Sequence, residues 1–207
     1  MEPPPSPVLQ RLWLGGGGYA HSSFDQAEVD RLGITHIVSV CKYDLCDKVK
    51  VSGDSMHIAI EDEPTEDLTP HLVPAARFIH AARVAGGCVY VHCYWGGSRS
   101  ATILWAYLMM AVGMTIHQGL EYLIQARATV RPNPGFIAQI KHFNGKSGDG
   151  GYQMERLRLK KDFGGGRLFV ASAALLMSDA EDIKNKTFTD PRWKGEGERE
   201  KGPQSRL

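Results

Sequence analysis

Apolar residues along the chain recur at two spacings, one typical of buried strands and one typical of helices. Short apolar runs rich in β-branched residues predict strands that are buried on both faces. We place strands at residues 8–14, 35–40, 56–60 and 88–92. Helical spacing is clearest for Leu72, Ala75, Ala76, Ile79 and Ala82, which fall on one helix face. Strands that alternate with helices predict an α/β fold, with a mostly parallel central sheet and helices on both faces.

Capping residues mark where several of the predicted helices begin and end. Ser23 and Gln26 form a capping box, and Gly33 ends the helix that follows it. Thr115 and Gln118 form a second capping box. We therefore expect one helix that ends near residue 32 and another that begins after residue 115.

Two further helices are predicted after the last strand. The run at residues 101–112 is apolar on every side of a helical wheel, which predicts a helix at the centre of the domain. Asn133 and Pro134 start a last helix, in which three apolar residues recur at helical spacing.

Composition divides the chain into one folded domain and two flanking segments. The prolines of residues 1–7 lack amide donors and predict a short extended lead-in. The folded domain covers residues 8–144. Glycines and charges then dominate, so we expect residues 145–207 to be a linker and a charged, largely disordered tail. The basic run at residues 156–161 is either a docking patch for acidic partners or a solvated face.

Charge and cysteine content narrow the class of protein. A formal net charge of +1 creates no field that would attract nucleic acid. The chain has four cysteines and no secretory signal, which predicts a reducing location, the cytoplasm or also the nucleus. The C-x4-C spacing of these cysteines is not a usual spacing for zinc ligands. The longest apolar run outside the predicted core, at residues 168–177, is about half the length of a membrane-spanning helix, so we expect no transmembrane segment.

The segment VHCYWGGSRSA, residues 91–101, joins a predicted strand to the apolar helix through a short loop. The backbone N–H groups of such a loop, together with the helix N-terminus, bind a tetrahedral dianion. The same positive field favours the thiolate form of Cys93. Gly96 and Gly97 allow a tight turn, and Arg99 has the planar fork that binds two phosphate oxygens. We therefore predict that Cys93 attacks a phosphate ester held in this loop.

Other residues of the segment are expected to bind the phosphate group and to assist release of the sulfur. The predicted phosphate-binding loop consists of Tyr94, Trp95, Gly96, Gly97, Ser98 and Arg99. We expect the hydroxyl of Ser100 to donate a hydrogen bond to the departing sulfur when a cysteinyl-phosphate is hydrolysed. The alternative is that Cys93 is a buried structural cysteine and that Arg99 is a surface residue at a helix start.

At this point the chain resembles a known family. HCYWGGSRSA at residues 92–101 resembles the HC-x5-R-S active-site loop of protein tyrosine phosphatases. AYLM at residues 106–109 and RPNPGF at residues 131–136 resemble small atypical dual-specificity phosphatases, particularly the JNK-stimulatory phosphatase branch. The resemblance covers residues 8–144. It implies an α/β sandwich and a two-step reaction, cysteine attack followed by water attack, without a metal or an organic cofactor.

An alkoxide or phenoxide leaving group needs a proton donor. By resemblance this general acid is Asp62, at the family's expected distance before Cys93, rather than its neighbours Glu61 and Glu63. The alternative is that these carboxylates form only a solvated acidic loop. The resemblance also gives His92 a part in tuning the thiolate, although a histidine that ends a buried strand can simply be satisfied by backbone groups.

The loop residues also bear on the substrate. Relatives that act on phosphoinositides carry lysines inside the loop, whereas Tyr94 and Gly97 stand there in this chain. The absence of these lysines favours phosphotyrosine, phosphoserine and phosphothreonine on proteins as substrates. The resemblance also implies MAP-kinase pathway proteins among the partners. Trp95 stands where relatives usually carry a small or polar residue. Its indole either covers part of the pocket or forms a surface on which a phosphotyrosine ring stacks.

Two rival functions use the same kind of loop. A catalytically weak module could bind phosphoproteins in the pocket without hydrolysing them. A sulfur-transfer enzyme also needs a reactive cysteine in a looped anion site. The segments at residues 106–109 and 131–136 favour the phosphatase resemblance over sulfur transfer.

Cys41 directly follows the predicted strand at residues 35–40, so its sulfur is expected beside the loop at the same sheet edge. Because thiolates are readily oxidised, a neighbouring cysteine can protect one by forming a reversible disulfide. We predict that mild peroxide links Cys41 to Cys93 by a disulfide. Cys88 is excluded as the partner because it lies about 16 Å from Cys93 along an extended strand, which is out of disulfide reach. Mass spectrometry of the treated protein tests this prediction. Detection of only unlinked sulfinic or sulfonic Cys93 would contradict it.

Overall fold

Five strands form one sheet at the centre of the fold. The computed structural model describes residues 3–17, 24–42, 49–145 and 167–185. The strands are β1 (Ser6–Leu9), β2 (Leu12–Gly16), β3 (His36–Ser39), β4 (Ser55–His57) and β5 (Val89–Cys93). They lie in the order β1-β2-β5-β3-β4, and every neighbouring pair is parallel except β1 with β2. The predicted mostly parallel sheet is confirmed.

Helices cover both faces of this sheet. They are α1 (Gln26–Leu32), α2 (Thr69–Val84), α3 (Arg99–Tyr107), α4 (Ile116–Ala126), α5 (Pro134–Gly145) and α6 (Arg167–Asn185). On one face, Val29 of α1 packs with Ile37 of β3 and Tyr90 of β5. On the other face, α2 to α5 share a larger apolar cluster with residues such as Val38 and Val91. Within the described residues, no helix combines the length and the apolar composition that spanning a membrane would need.

Helix α3 is the central helix, as the sequence predicts. Every one of its residues is buried, so the helix has no solvated face. It continues as a short π-helical segment, Leu108–Val112, which ends at Gly113 in the left-handed conformation. The N-terminus of α3 lies at the carboxyl edge of the parallel strands, directly after the loop that leaves β5.

The first predicted strand, residues 8–14, is instead a hairpin. Strands β1 and β2 pair in antiparallel fashion, with Leu9 opposite Leu12. The chain reverses at Arg11, which has a φ of 57°. A positive φ is uncommon for arginine, and no glycine or asparagine marks the turn. The sequence therefore contains no ordinary signal for this reversal.

Most of the predicted helix boundaries agree with the structure. Gly33 ends α1 at a φ of 63°, and Thr115 with Gln118 forms the predicted capping box of α4. The cap of α1 differs, because Asp25 accepts the hydrogen bond from the Glu28 N–H at 2.9 Å. The predicted cap residue 23 lies outside the described residues.

The C-terminal helix α6 is the main difference from the predicted domain organisation. Residues 167–185 belong to the segment that we expected to be linker and largely disordered tail, yet they form α6. Leu175 and Asp179 of this helix are buried, and α6 contacts α2, β1 and the π-helical segment. The predicted linker and the end of the tail, residues 146–166 and 186–207, lie outside the described residues.

A buried ion pair holds α6 on α2. The side chains of Arg83 and Asp179 are both 0% exposed, and two hydrogen bonds of 2.6 and 2.9 Å join them. Arg83 also donates to the Gln10 carbonyl and to the Tyr107 hydroxyl. Burial opposes the charge, but Tyr107 and Asp179 keep the pKa of Arg83 above its ordinary value. Burial and the nearby Arg83 charge lower the pKa of His80 to about 4, so its imidazole is neutral at pH 7.

Removing the carboxylate of this pair should be strongly destabilising. We predict that Asp179→Ala lowers the free energy of unfolding by about 3–5 kcal/mol, because the Arg83 charge would stay buried without its partner. Urea unfolding at pH 7, followed by circular dichroism, measures this change. Met177 is 75% exposed on the same helix, and Met177→Ala should change the value by less than about 0.5 kcal/mol. Equal effects of the two substitutions would contradict the prediction.

Candidate active site

The loop between β5 and α3 wraps around the sulfur of Cys93. Cys93 is 1% exposed, at the carboxyl end of β5. Its Sγ accepts hydrogen bonds from the Gly96 N–H at 3.3 Å and from the Ser100 hydroxyl at 3.2 Å. Hydrogen bonds donated to a sulfur favour negative charge on it, and the N-terminus of α3 adds positive potential. The structure places this loop around the sulfur, and its part in phosphate binding stays a prediction.

Two glycines allow the loop to lie against neighbouring backbone. Gly96 has a φ of 70°, and a Cβ at this position would lie 2.4 Å from the carbonyl carbon of Gly15. A Cβ on Gly97 would lie 2.7 Å from the Thr129 carbonyl oxygen. Any larger residue would therefore displace the loop or the segment beneath it.

Two backbone hydrogen bonds and one side-chain hydrogen bond from outside the loop hold it in place. The Gly17 N–H donates to the Cys93 carbonyl at 3.0 Å, and the Arg131 N–H donates to the Gly97 carbonyl at 2.7 Å. The guanidinium of Arg127 donates to the Trp95 carbonyl at 3.0 Å. These bonds occupy the carbonyl oxygens of Cys93, Trp95 and Gly97, and the backbone N–H groups of such a loop can bind an anion.

Arg99 lies beside the loop, and its Nε–H donor has no hydrogen-bond partner. Its side chain is nearly buried, and its Nη1 donates to the Ile60 carbonyl at 3.1 Å. Its Nε is buried without a hydrogen-bond partner and lies 4.0 Å from Oδ2 of Asp62. A buried donor of this kind requires an acceptor, and a phosphate oxygen can provide one.

Asp62 is the acidic residue that the structure brings to the loop. Its Oδ1 accepts hydrogen bonds from the Ser98 hydroxyl at 2.6 Å and from the Asn133 side-chain amide at 2.8 Å. The neighbouring Glu61 instead pairs with Lys42, and that hydrogen bond lowers the pKa of the Glu61 carboxyl. Asp62, the residue chosen by resemblance, is therefore hydrogen-bonded directly to the loop.

His92 touches the backbone of Cys93 rather than its sulfur. The imidazole is 1% exposed, and its Nδ1 donates to the Cys93 carbonyl at 3.3 Å. The ring stacks on Tyr90 at a centroid distance of 5.5 Å. These contacts fit both sequence interpretations, because a backbone carbonyl partner satisfies the imidazole and also fixes the peptide at Cys93.

Trp95 is 55% exposed, so its indole is not buried over the loop. The ring meets Tyr94 edge to face at a centroid distance of 5.8 Å. Cys41 is buried in the same apolar cluster as Cys93, and no disulfide joins them in the structure. The disulfide between them stays a prediction. Burial raises the pKa of the Cys88 thiol, in keeping with a core residue.

Sequence reasoning missed two residues of this site. Asn133 was predicted only as the start of a helix, although its amide bonds to Asp62. Arg127 is 3% exposed and joins the Trp95 carbonyl to the Pro4 carbonyl. The RPNPGF segment contains Asn133, but its resemblance to a family motif did not indicate which atom the amide contacts. Nothing in the sequence around Arg127 signalled its role.

The donor set of the site suits an anion. The Gly96 N–H and the Ser100 hydroxyl donate to the sulfur, and the guanidinium of Arg99, which has donors only, lies beside the loop. Within the described residues, no cluster of three or more histidine, cysteine, aspartate or glutamate side chains could hold a metal ion. The arrangement can hold a phosphate group next to the Cys93 sulfur, with the Asp62 carboxyl group hydrogen-bonded to the same loop.

Comparisons with known proteins agree with this geometry. Residues 13–146 match the family model described as dual specificity phosphatase, catalytic domain. The chain is 33% identical over 160 residues to dual specificity protein phosphatase 15 of Mus musculus, covering 76% of this chain and 63% of the relative. It is 32% identical over 194 residues to dual specificity protein phosphatase 22-A of Danio rerio, covering 93% and 89% respectively. The chain thus spans less than two thirds of the length of the mouse relative.

A solved structure is similar as well. The crystal structure of DUSP15 matches with a TM-score of 0.67 at 30% identity, over 76% of this chain and 95% of that one. The range matched by the family model, residues 13–146, includes the loop, Asp62 and Asn133. The narrower resemblance to the JNK-stimulatory branch stays a prediction.

The anion site should depend on the conformation of Gly96. We predict that Gly96→Ala abolishes the thermal stabilisation of the protein by inorganic phosphate, because the added Cβ would overlap the Gly15 backbone. Thermal unfolding with and without phosphate measures the effect. Gly113 also has a positive φ, 87°, but ends the π-helical segment. Gly113→Ala should therefore destabilise the protein and keep its response to phosphate. A Gly96→Ala variant with the wild-type response would contradict the prediction.

Proposed function

We propose that this chain, which belongs to the dual-specificity phosphatase family, hydrolyses phosphate esters on proteins. The substrates are phosphotyrosine, phosphoserine and phosphothreonine side chains. The observation that carries the proposal is the buried Cys93 sulfur at the centre of an anion-binding loop, with Arg99 and Asp62 beside it.

In the first step, the Cys93 thiolate attacks phosphorus and the bond to the ester oxygen breaks. The loop N–H groups and the Arg99 guanidinium bind the equatorial phosphate oxygens, where negative charge collects in the transition state. Asp62 gives its proton to the departing oxygen, which leaves as a hydroxyl group. The products of this step are the dephosphorylated side chain and a cysteinyl-phosphate.

In the second step, water attacks the phosphorus of the cysteinyl-phosphate. The Asp62 carboxylate takes a proton from this water, and the bond between sulfur and phosphorus breaks. The Ser100 hydroxyl, 3.2 Å from Sγ, donates a hydrogen bond to the thiolate as it leaves. Inorganic phosphate is released and Cys93 returns to its starting state, so the cycle needs no cofactor.

The loop chemistry supports substrates with a single phosphate. Residues 94–98 contain no lysine or arginine that could bind a second phosphate group. The exposed indole of Trp95 can stack on the ring of phosphotyrosine, a contact worth about 0.5–1.5 kcal/mol. Phosphorylated proteins, including those of MAP-kinase pathways, are the partners that we propose, and the cytoplasm and nucleus are the proposed locations.

Hydrolysis of an aryl phosphate at pH 5 to 8, without added metal, tests the proposal. We predict that Cys93→Ser removes turnover and that Asp62→Asn lowers kcat by about 10²- to 10⁴-fold, because no other group replaces the proton donor. Glu63→Gln is the matched control, since Glu63 is an exposed carboxylate on the same loop. It should keep wild-type activity.

Two outcomes would count against this assignment. A Cys93→Ser variant with wild-type turnover would exclude a cysteinyl-phosphate. A wild-type protein that binds phosphopeptides but does not hydrolyse aryl phosphates would instead indicate the catalytically weak phosphoprotein-binding module, with the exposed Trp95 as the first residue to replace.

A further inference from the structure

Ser6 is the first residue of β1 and lies between prolines. Pro7 follows it directly, and Pro4 stands two positions before it. Proline-directed protein kinases require a proline directly after the serine or threonine that they phosphorylate, and MAP kinases favour a second proline two positions before it. Residues 4–7 therefore form the P-x-S-P pattern that kinases of this class recognise.

The chain contains one other serine or threonine that precedes a proline, which is Thr69 before Pro70. Thr69 is the first residue of helix α2, and the residue two positions before it is Asp67 rather than a proline. A kinase binds its substrate as an extended segment, and a residue inside a helix adopts that conformation only after its turn has unfolded. Ser6 lies in an extended strand and thus fits this requirement better than Thr69.

The residues around Ser6 lie largely at the surface. Pro4 and Pro7 are exposed, Ser6 is partly exposed, and of residues 3–7 only Pro5 is buried. Strand β1 is at the edge of the described sheet and pairs there with β2 alone. The apolar core begins after this segment, with Val8. A kinase can therefore engage residues 4–7 without opening the core.

The guanidinium of Arg127 lies directly beside the Ser6 hydroxyl. Its Nη1 is 3.4 Å from Oγ of Ser6 and donates to the Pro4 carbonyl at 2.8 Å. Its Nη2 donates to the Trp95 carbonyl, in the loop after β5, at 3.0 Å. One side chain thus joins the N-terminal segment to that loop.

Arg127 is a buried cation that lacks a counter-charge. It is 3% exposed, its Nε has no hydrogen-bond partner, and the oxygens that it contacts belong to carbonyls and a hydroxyl. None of the ion pairs among the described residues includes it. A buried charge is costly without an opposite charge nearby. A phosphate dianion supplies that charge, and its oxygens match the planar fork of a guanidinium.

We propose that Ser6 is a phosphorylation site for a proline-directed protein kinase and that Arg127 binds the phosphoryl group. The kinase transfers the γ-phosphoryl group of ATP. A bond forms between phosphorus and Oγ of Ser6, and the bond from phosphorus to the oxygen that bridges it to the β-phosphate breaks. ADP leaves, and the proton of the hydroxyl passes to a base of the kinase.

The phosphoryl group can pair with Arg127 without displacing the loop after β5. The contact between Nη1 and the Ser6 hydroxyl is long for a hydrogen bond, and a phosphate oxygen on the same side chain can replace it with a shorter, charge-assisted bond. The bond to the Trp95 carbonyl uses the other nitrogen, Nη2. Phosphorylation therefore ties the N-terminal segment more firmly to the residue that holds the loop.

The first experiment identifies the modified residue. The full-length Cys93→Ser protein is used, so that it cannot hydrolyse its own phosphoserine. It is incubated with ATP, Mg²⁺ and a purified MAP kinase, digested and analysed by mass spectrometry. We expect one phosphate on the peptide that contains Ser6 and none on Thr69. Pro7→Ala should abolish the incorporation, whereas the matched variant Pro70→Ala should leave it unchanged.

The second experiment tests the pairing with Arg127. Free phosphoserine has a second pKa of about 6, and a neighbouring guanidinium favours the dianion, so this pKa should fall by at least about one unit in the folded protein. Phosphorus NMR of the phosphorylated protein across about pH 4 to 8 measures it, and the same sample in urea gives the unpaired value. Arg127→Gln should restore the ordinary value. Arg131→Gln is the control, because Arg131 is an exposed arginine in the same connection.

Each contrary result has a definite meaning. Absence of phosphate from Ser6, or phosphate on Thr69 instead, would overturn the modification site. A phosphoserine that titrates at the same pH in the native protein and in urea would overturn the part assigned to Arg127, and this comparison needs no variant to fold. Neither result bears on the proposed function, which is tested with the unphosphorylated protein.

Discussion

The rest of the structure depends on how one loop surrounds the buried sulfur of Cys93. A sulfur that is 1% exposed can carry a negative charge only where hydrogen-bond donors point at it. The Gly96 N–H and the Ser100 hydroxyl supply two donors to Cys93, and the N-terminus of α3 adds its partial positive charge. This demand explains why the loop is tight, why it contains glycine and why a helix begins directly after it. The same donors that stabilise a thiolate also bind a phosphate group.

A loop with inward-facing N–H groups must have its carbonyl oxygens satisfied from outside. Neighbouring elements meet this need: Gly17 after β2, Arg127 after α4, and Arg131 before α5. The carboxyl ends of the parallel strands meet at this edge, which is where ligand sites occur in open α/β sheets. Asp62 reaches the same edge from the loop after β4, and Asn133 links it to α5. The site is thus assembled from this loop and three other segments, which are the end of β2, the loop after β4 and the connection between α4 and α5.

The sequence indicated the features whose signals are local, and it failed for those that depend on distant contacts. Strand, loop and helix around Cys93 are contiguous, so their arrangement could be predicted. The hairpin was missed because Arg11 turns with a positive φ. Helix α6 was missed because its docking depends on Asp179 meeting Arg83, 96 residues earlier. The amide of Asn133 bonds to a carboxylate 71 residues away, which no local pattern reveals.

The most direct test of this account is the detection of the phosphorylated intermediate. The Asp62→Asn protein, mixed with a nitrophenyl phosphate and quenched in acid within milliseconds to seconds, is digested and examined by mass spectrometry. The account predicts one phosphate on the peptide that contains Cys93, bonded through sulfur, and none in a Cys93→Ser sample. Phosphate on another residue, or turnover of substrate without any phosphorylated Cys93, would contradict it.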